Sequence, residues 1–132
     1  MRYLLDTNIL IAAIKGVDTV RHKLEITPLS ALVLSPIVLG ELQLGIEKSS
    51  HRQKNAACLA HILDGLELIP LNAEVSQHYG VIRAELESKG TTIGANDYWI
   101  AAQARALGAV LVTDNVREFS RVPDLVIENW RT

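Results

Sequence analysis

Four carboxylates in this chain stand where surface acids usually do not: Asp6, Glu41, Asp97 and Asp114. Asp6 closes the apolar run Arg2–Leu5, and Asp114 follows the apolar run Ala109–Thr113. Glu41 has Ile37 and Leu44 at i−4 and i+3, and Asp97 has Ile100, Ala101 and Ala104 at i+3, i+4 and i+7, so both read as lying along apolar helical stripes. No Lys or Arg stands at i±3 or i±4 of either. A carboxylate on an inward face is costly unless it is paired or bound to metal. Two acids at strand ends and two on inward helix faces, brought to one pocket, repel each other and suit a hard divalent cation, Mg²⁺ or Mn²⁺. Each acid also has a plainer role: Asp6 a helix cap, Asp97 a first-turn acid favoured by the helix dipole, Asp114 a turn residue beside an Asn115–Glu118 capping box. Glu41 has the weakest plain role, because acids in mid-helix normally face water.

The elements that must position these acids alternate in period. Strands are predicted at Arg2–Leu5, Leu32–Leu34, Leu68–Leu71 and Ala109–Thr113, with a fifth at Leu125–Ile127. Helices are predicted at Thr7–Lys15, Asp18–Thr27, Ser35 to Lys48 (opened by a Ser-Pro cap), Arg52–Leu66, Ala73–Lys89 and Ala95–Leu107, the last stopped by Gly108. Strands separated by helices imply an α/β fold: a central parallel sheet of four to five strands between helical layers, with ligand chemistry at the carboxyl ends of the strands.

The 132 residues read as a single domain, residues 1–132, without repeat or linker. Hydrophobic residues at 48% and charged residues at 21% exclude a disordered chain. Cys58 is the only cysteine, which fits a reducing compartment; neither a signal peptide nor a membrane span is visible, and the expected location is cytoplasmic. Net charge is −2, but setting the four acids aside leaves 13 basic against 11 acidic residues, so a polyanionic partner is not excluded. The candidates for contacting one are Lys48, Arg52 and Lys54, in a stretch from Lys48 to Leu63 that holds no acid, together with Arg83 and Arg117. An ordinary solvated loop explains the 48–54 run equally well.

Other chemistries fit worse. The chain has no GxGxxG, P-loop or GxSxG pattern, and Cys58 lies in an apolar helical pattern. His22, His51, His61 and His78 are scattered without metal-ligand or catalytic spacing, which argues against a histidine-based ribonuclease. A non-catalytic Mg²⁺-binding receiver domain would want an Asp after the third strand, where Pro70-Leu71-Asn72 stands. Another metal-dependent phosphohydrolase of the phosphatase type would want Asp rather than Asn8 two residues after Asp6.

The segments LDTN at 5–8, GELQLGIEKS at 40–49, IRAELESKG at 82–90, NDYWIAA at 96–102 and LVTDNVREF at 111–119 resemble those of a PIN domain, and more closely a VapC-type toxin of a bacterial toxin–antitoxin pair. The resemblance covers nearly the whole chain. It implies a three-layer α/β/α fold and maps that family's acidic quartet onto Asp6, Glu41, Asp97 and Asp114, with Asn8, Thr113 and Asn115 as polar pocket residues. It implies an Mg²⁺- or Mn²⁺-dependent endoribonuclease in which Asp6, Glu41 and Asp97 hold metal and Asp114 completes the shell. The implied substrate is RNA, with tRNA and in particular the anticodon loop of initiator tRNA resembled most. The implied partners are a VapB-type antitoxin and a second copy of the chain in a homodimer, with operator DNA reached only through the antitoxin. The apolar residues around Ile9–Ile14 and Leu59–Leu66 exceed what one sheet face can bury, which leaves surface for a partner; the resemblance implies that this surface is a groove for the antitoxin's C-terminal helix, with an antitoxin Arg entering the acidic pocket.

Overall fold

The computed structural model describes residues 1–132. Five short strands form one wholly parallel sheet: β1 (Tyr3–Leu5), β2 (Leu32–Leu34), β3 (Glu67–Leu68), β4 (Val110–Val112) and β5 (Ile127–Glu128), in the order β3-β2-β1-β4-β5. Seven α-helices connect them: α1 (Thr7–Ile14), α2 (Asp18–Ile26), α3 (Pro36–Lys48), α4 (Arg52–Leu63), α5 (Ala73–Ser88), α6 (Ala95–Leu107) and the single turn α7 (Val116–Phe119). A 3₁₀ turn at Leu29–Ala31 leads into β2.

Strand order proceeds outward from β1 to β2 and β3, then returns past β1 to β4 and β5. Because parallel crossovers are right-handed, this reversal puts α1–α4 on one face of the sheet and α5–α7 on the other. The packing agrees: α1 touches α2, α3 and α4, while α5 runs along α6. The expected three layers are therefore present. The central strands are apolar on both faces, with Leu4, Leu5, Val33, Leu34, Val110, Leu111 and Val112 all buried, as a sheet covered on both sides requires.

Boundaries follow local chemistry. Ser35 Oγ accepts from the Ile37 N–H at 3.2 Å and Pro36 opens α3, as the Ser-Pro pair predicts. Gly108, at φ 64°, ends α6 in the left-handed conformation. Most predicted elements lose a residue or two at their ends, and two of these losses have a clear local cause. Helix α4 stops at Leu63 rather than Leu66, because Gly65 turns the chain at φ 81° and a side chain there would run into Leu29. Strand β3 covers Glu67–Leu68 rather than Leu68–Leu71, because Pro70 has no N–H to continue the pairing that Ile69 still makes with the Leu34 carbonyl at 3.0 Å. The fifth strand starts two residues late, at Ile127, after a turn in which Asp124 takes φ 62°.

Candidate active site

The reversal in strand order opens a crevice beyond the carboxyl ends of β1 and β4, the position at which open parallel sheets collect ligand-binding groups. Asp6 follows β1 and Asp114 follows β4 within two residues of Val112; the two strands are paired through Leu5 and Val112. The Asp6 N–H donates to the Val112 carbonyl at 2.9 Å, so the ladder carries the chain up to the acid itself.

Asp6 is both the N-cap of α1 and a buried carboxylate, 5% exposed. One oxygen accepts from the Thr7 N–H at 2.8 Å and the other from Thr113 Oγ1 at 2.7 Å. The Thr113 hydroxyl, fully buried, accepts in turn from the Asn115 N–H at 3.0 Å. Glu41 is reached from the same helix start: Thr7 Oγ1 donates to Glu41 Oε1 at 2.8 Å, tying α3 to α1. Asp114 accepts from Asn8 Nδ2 at 3.5 Å and from Arg131 Nη1 at 3.1 Å. Asp97 lies in the first turn of α6 with its carboxylate folded back toward Gly94, where a Cβ would stand 3.1 Å from Asp97 Oδ2.

The electrostatics of these acids are coupled. Burial raises the Asp6 carboxyl above its ordinary value; the hydrogen bonds from Thr113 and Thr7 oppose this, and the charges of Glu41 and Asp114 add to it. Burial also raises Asp97, with help from the charges of Asp6, Glu118 and Glu41 and a hydrogen bond with Glu118, to about 7. The four predicted acids thus feel one another, but no three of them close into a ready-made cation cage. Like charges keep apart, and here they take Thr7, Thr113, Asn8 and Arg131 as partners instead.

Several sequence expectations change on this geometry. Glu41 is half-buried beside the inward pair Val38 and Leu42; its expected stripe partner Leu44 is 55% exposed, so Glu41 sits at the edge of the apolar face. No Asn115–Glu118 capping box forms: Asn115 caps no backbone group, and its Nδ2 donates to Glu118 Oε2 at 3.0 Å. Glu118 is therefore a fifth acid of the site, four residues after Asp114 on α7, which a capping role concealed. Thr7, which the sequence marked only as the start of a helix, bridges α1 to Glu41. Nothing in the sequence marked Arg131.

Of the basic candidates, Lys48, Arg52 and Lys54 are exposed. Arg52 and Lys54 line a cleft at the α3–α4 turn together with Gln43 and His51, and Arg52 pairs with Glu47 at 3.0 Å. Arg83 is engaged elsewhere: it pairs with Glu87 at 3.1 Å and lies over the Tyr98 ring at 5.1 Å. Arg117 is exposed on α7. None of these five makes an ion pair with the four acids. Histidine plays no part in the cluster; His78 accepts from Arg105 Nε at 2.9 Å.

An apolar groove runs between α1, α3 and α4, lined by Ile11, Ile14, Leu42, Ile46 and Leu59, with Glu41 also in its wall. Its make-up differs from the sequence expectation. Ile9 and Leu10 are fully buried, and Leu63 does not line the groove; α3 supplies the wall instead.

A parallel sheet covered on both faces, with acids at its switch point, is a class of α/β fold, and comparison narrows it. The PIN domain family matches residues 3–125. Ribonuclease VapC2 of Rickettsia felis is 45% identical over 132 residues, covering 98% of both chains. The tRNA(fMet)-specific endonuclease VapC of Salmonella typhimurium is 38% identical over 131 residues, again covering 98% of each. Among solved structures, VapBC2 from Rickettsia felis bound to a fragment of promoter DNA superposes with a TM-score of 0.92 at 44% identity, covering 98% of this chain and 99% of that one. DNA-bound VapBC from Salmonella typhimurium gives 0.92 at 38% identity and 98% coverage of each. The chain belongs to the PIN-domain family, in its VapC ribonuclease branch.

Proposed function

We propose that this chain is the toxin of a toxin–antitoxin pair, a divalent-metal-dependent endoribonuclease that cuts tRNA and so stops translation. The carrying observation is that burial raises the carboxyls of Asp6 and Asp97, and that the charges of Glu41 and Asp114 on Asp6, and of Asp6 and Glu41 on Asp97, add to the rise. The tRNA reading, with initiator tRNA foremost, leans on a relative named for that activity.

The donor set suits a hard cation: all oxygen, no thiol or imidazole, and more negative charge than the neighbouring donors neutralise. Asp6, Glu41 and Asp97 would hold Mg²⁺ or Mn²⁺, directly or through water, with Asp114 completing the shell. Bound there, the ion supplies a water of lowered pKa and offsets charge on the scissile phosphate. The chain's own groups do the rest. Thr113 and the Thr7 N–H fix the Asp6 carboxylate, Thr7 Oγ1 fixes Glu41, and Asn8 and Asn115 present amides at the pocket. Without a histidine pair, cleavage proceeds by hydrolysis and leaves a 5′-phosphate and a 3′-hydroxyl. Lys48, Arg52, Lys54 and Arg117 are the exposed cations for the RNA backbone; Arg83 joins them only by releasing Glu87.

The groove of Ile11, Ile14, Leu42, Ile46 and Leu59 fits the apolar face of a helix, and Lys15 and Glu41 in its wall offer that helix one charge of each sign. A VapB-type antitoxin is the occupant this reading requires, with operator DNA bound by the antitoxin, and with the toxin paired as a homodimer. RNA 5′-end sequencing after induced expression tests the whole reading. Discrete new 5′-phosphate ends in tRNA, missing from an Asp6→Asn control, are expected; ends equally abundant with the control would overturn it.

A further inference from the structure

The four acids have one basic side chain among them, and it comes from the far end of the chain. Arg131 Nη1 lies 3.1 Å from Asp114 Oδ2, with the Arg131 side chain 48% exposed and that of Asp114 22%. This is not a trailing contact. The preceding Trp130 is 3% exposed, packs against the Tyr3 ring at 5.4 Å between centroids, and donates Nε1–H to Glu128 Oε1 at 3.0 Å. Both backbone groups of Arg131 are held as well: its N–H donates to Asn129 Oδ1 at 3.0 Å, and its carbonyl accepts from Thr19 Oγ1 at 3.1 Å. The backbone is fixed at three points while the guanidinium stays half in solvent, with most of its five N–H donors free of the Asp114 bond.

An exposed ion pair contributes little to stability, so the pair needs another reason to be built on so firm a base. A guanidinium matches two phosphate oxygens in a planar fork and keeps its charge at any physiological pH. We propose that Arg131 binds an RNA phosphate at the mouth of the acidic crevice, and that Asp114 acts chiefly as the anchor that aims it. This rests on the nuclease reading and assigns Asp114 a different principal duty within it, turning the outermost acid from a repeller of phosphate into the holder of a phosphate-binding cation.

Binding separates this role from catalysis. In EDTA, the Asp6→Asn protein and its double variants with Arg131→Ala and Arg131→Lys are titrated into a fluorescein-labelled RNA stem-loop at several salt concentrations, with anisotropy as readout. Arg131→Ala should weaken binding about tenfold and lower the slope of log K against log salt by about 0.7–0.9, the loss of one phosphate contact. Arg131→Lys should keep the slope and recover part of the affinity. In the otherwise wild-type protein with Mg²⁺, Arg131→Ala should raise KM more than it lowers kcat. Unchanged affinity and slope in Arg131→Ala would overturn the proposal. So would tighter RNA binding or faster cleavage, which would make Arg131 an internal plug of the crevice. If the protein carrying only Asp6→Asn binds no RNA at any salt, the nuclease reading fails and takes this proposal with it; RNA bound with no effect of Arg131 defeats this proposal alone.

Discussion

Thr113 Oγ1 hydrogen-bonds Asp6 Oδ2 at 2.7 Å, joining the residue after β4 to the residue after β1 across 107 positions of sequence. Thr113→Val keeps the shape but strips a buried carboxylate of a donor and leaves the Asn115 N–H without its acceptor. Unsatisfied buried polar groups cost about 1–3 kcal/mol. Urea unfolding should show a loss of that size for Thr113→Val and a much smaller one for Thr113→Ser.

Asp6→Asn, Glu41→Gln and Asp97→Asn should each abolish RNA cleavage while leaving circular dichroism unchanged. EDTA should abolish wild-type cleavage, and Mg²⁺ or Mn²⁺ should restore it. Full activity in EDTA would remove the metal from the mechanism.

The raised Asp97 carboxyl fixes a sign for pH. Between its ordinary value of 3.8 and about 7, the folded chain holds a proton that the unfolded chain has already released. Stability of the metal-free protein therefore falls as pH rises through that window, and Asp6 acts in the same direction. Melting temperature in EDTA should decline from pH 5 to pH 7.5, and Asp97→Asn should flatten that decline. Added Mg²⁺ should stabilise more at pH 7.5 than at pH 5, because it competes with the protons.

His22, His51, His61 and His78 stand outside the acidic cluster. Each His→Gln change should leave kcat within about tenfold, equivalent to ~1.4 kcal/mol. Product ends should carry 5′-phosphate; 2′,3′-cyclic phosphate ends would point to a different reaction class.

Ile14→Glu places a charge in the groove between α1, α3 and α4 without touching Asp6, Asp97 or Asp114. Antitoxin captured by the wild-type chain should be lost from this variant while RNA cleavage persists. Leu63→Glu serves as the control, because Leu63 does not line the groove and should leave antitoxin binding intact.

Much of this was legible in the residues because it depends on local chemistry. The strand–helix alternation, the Ser35-Pro36 helix start, the Gly108 stop and the strand-end positions of Asp6 and Asp114 all follow from short-range pattern. What escaped depends on contacts between distant segments. Glu118 matched a capping box four residues from Asp114, and only the position of α6 shows that it faces Asp97 instead. The Thr7–Glu41 bond needs α3 laid beside α1. Arg131 lies beyond the last predicted strand, and no periodicity links it to Asp114. Leu44 misled for the opposite reason: its spacing from Glu41 is right for an inward stripe, but α3 turns that edge to water.

The strand reversal that sets β4 beside β1 also imposes a timetable. A chain made on the ribosome delivers Asp6 first, Glu41 and Asp97 later, and β4, Asp114, Glu118 and Arg131 last. Until β4 arrives, Asp6 has neither Thr113 nor the Val112 carbonyl, and α1 and α6 have no shared strand to bring their acids to one place. The crevice is thus among the last features of the molecule to exist. On the reading proposed above, a nuclease built this way has no assembled site while it is still being translated, and it gains one only after the ribosome has finished making it.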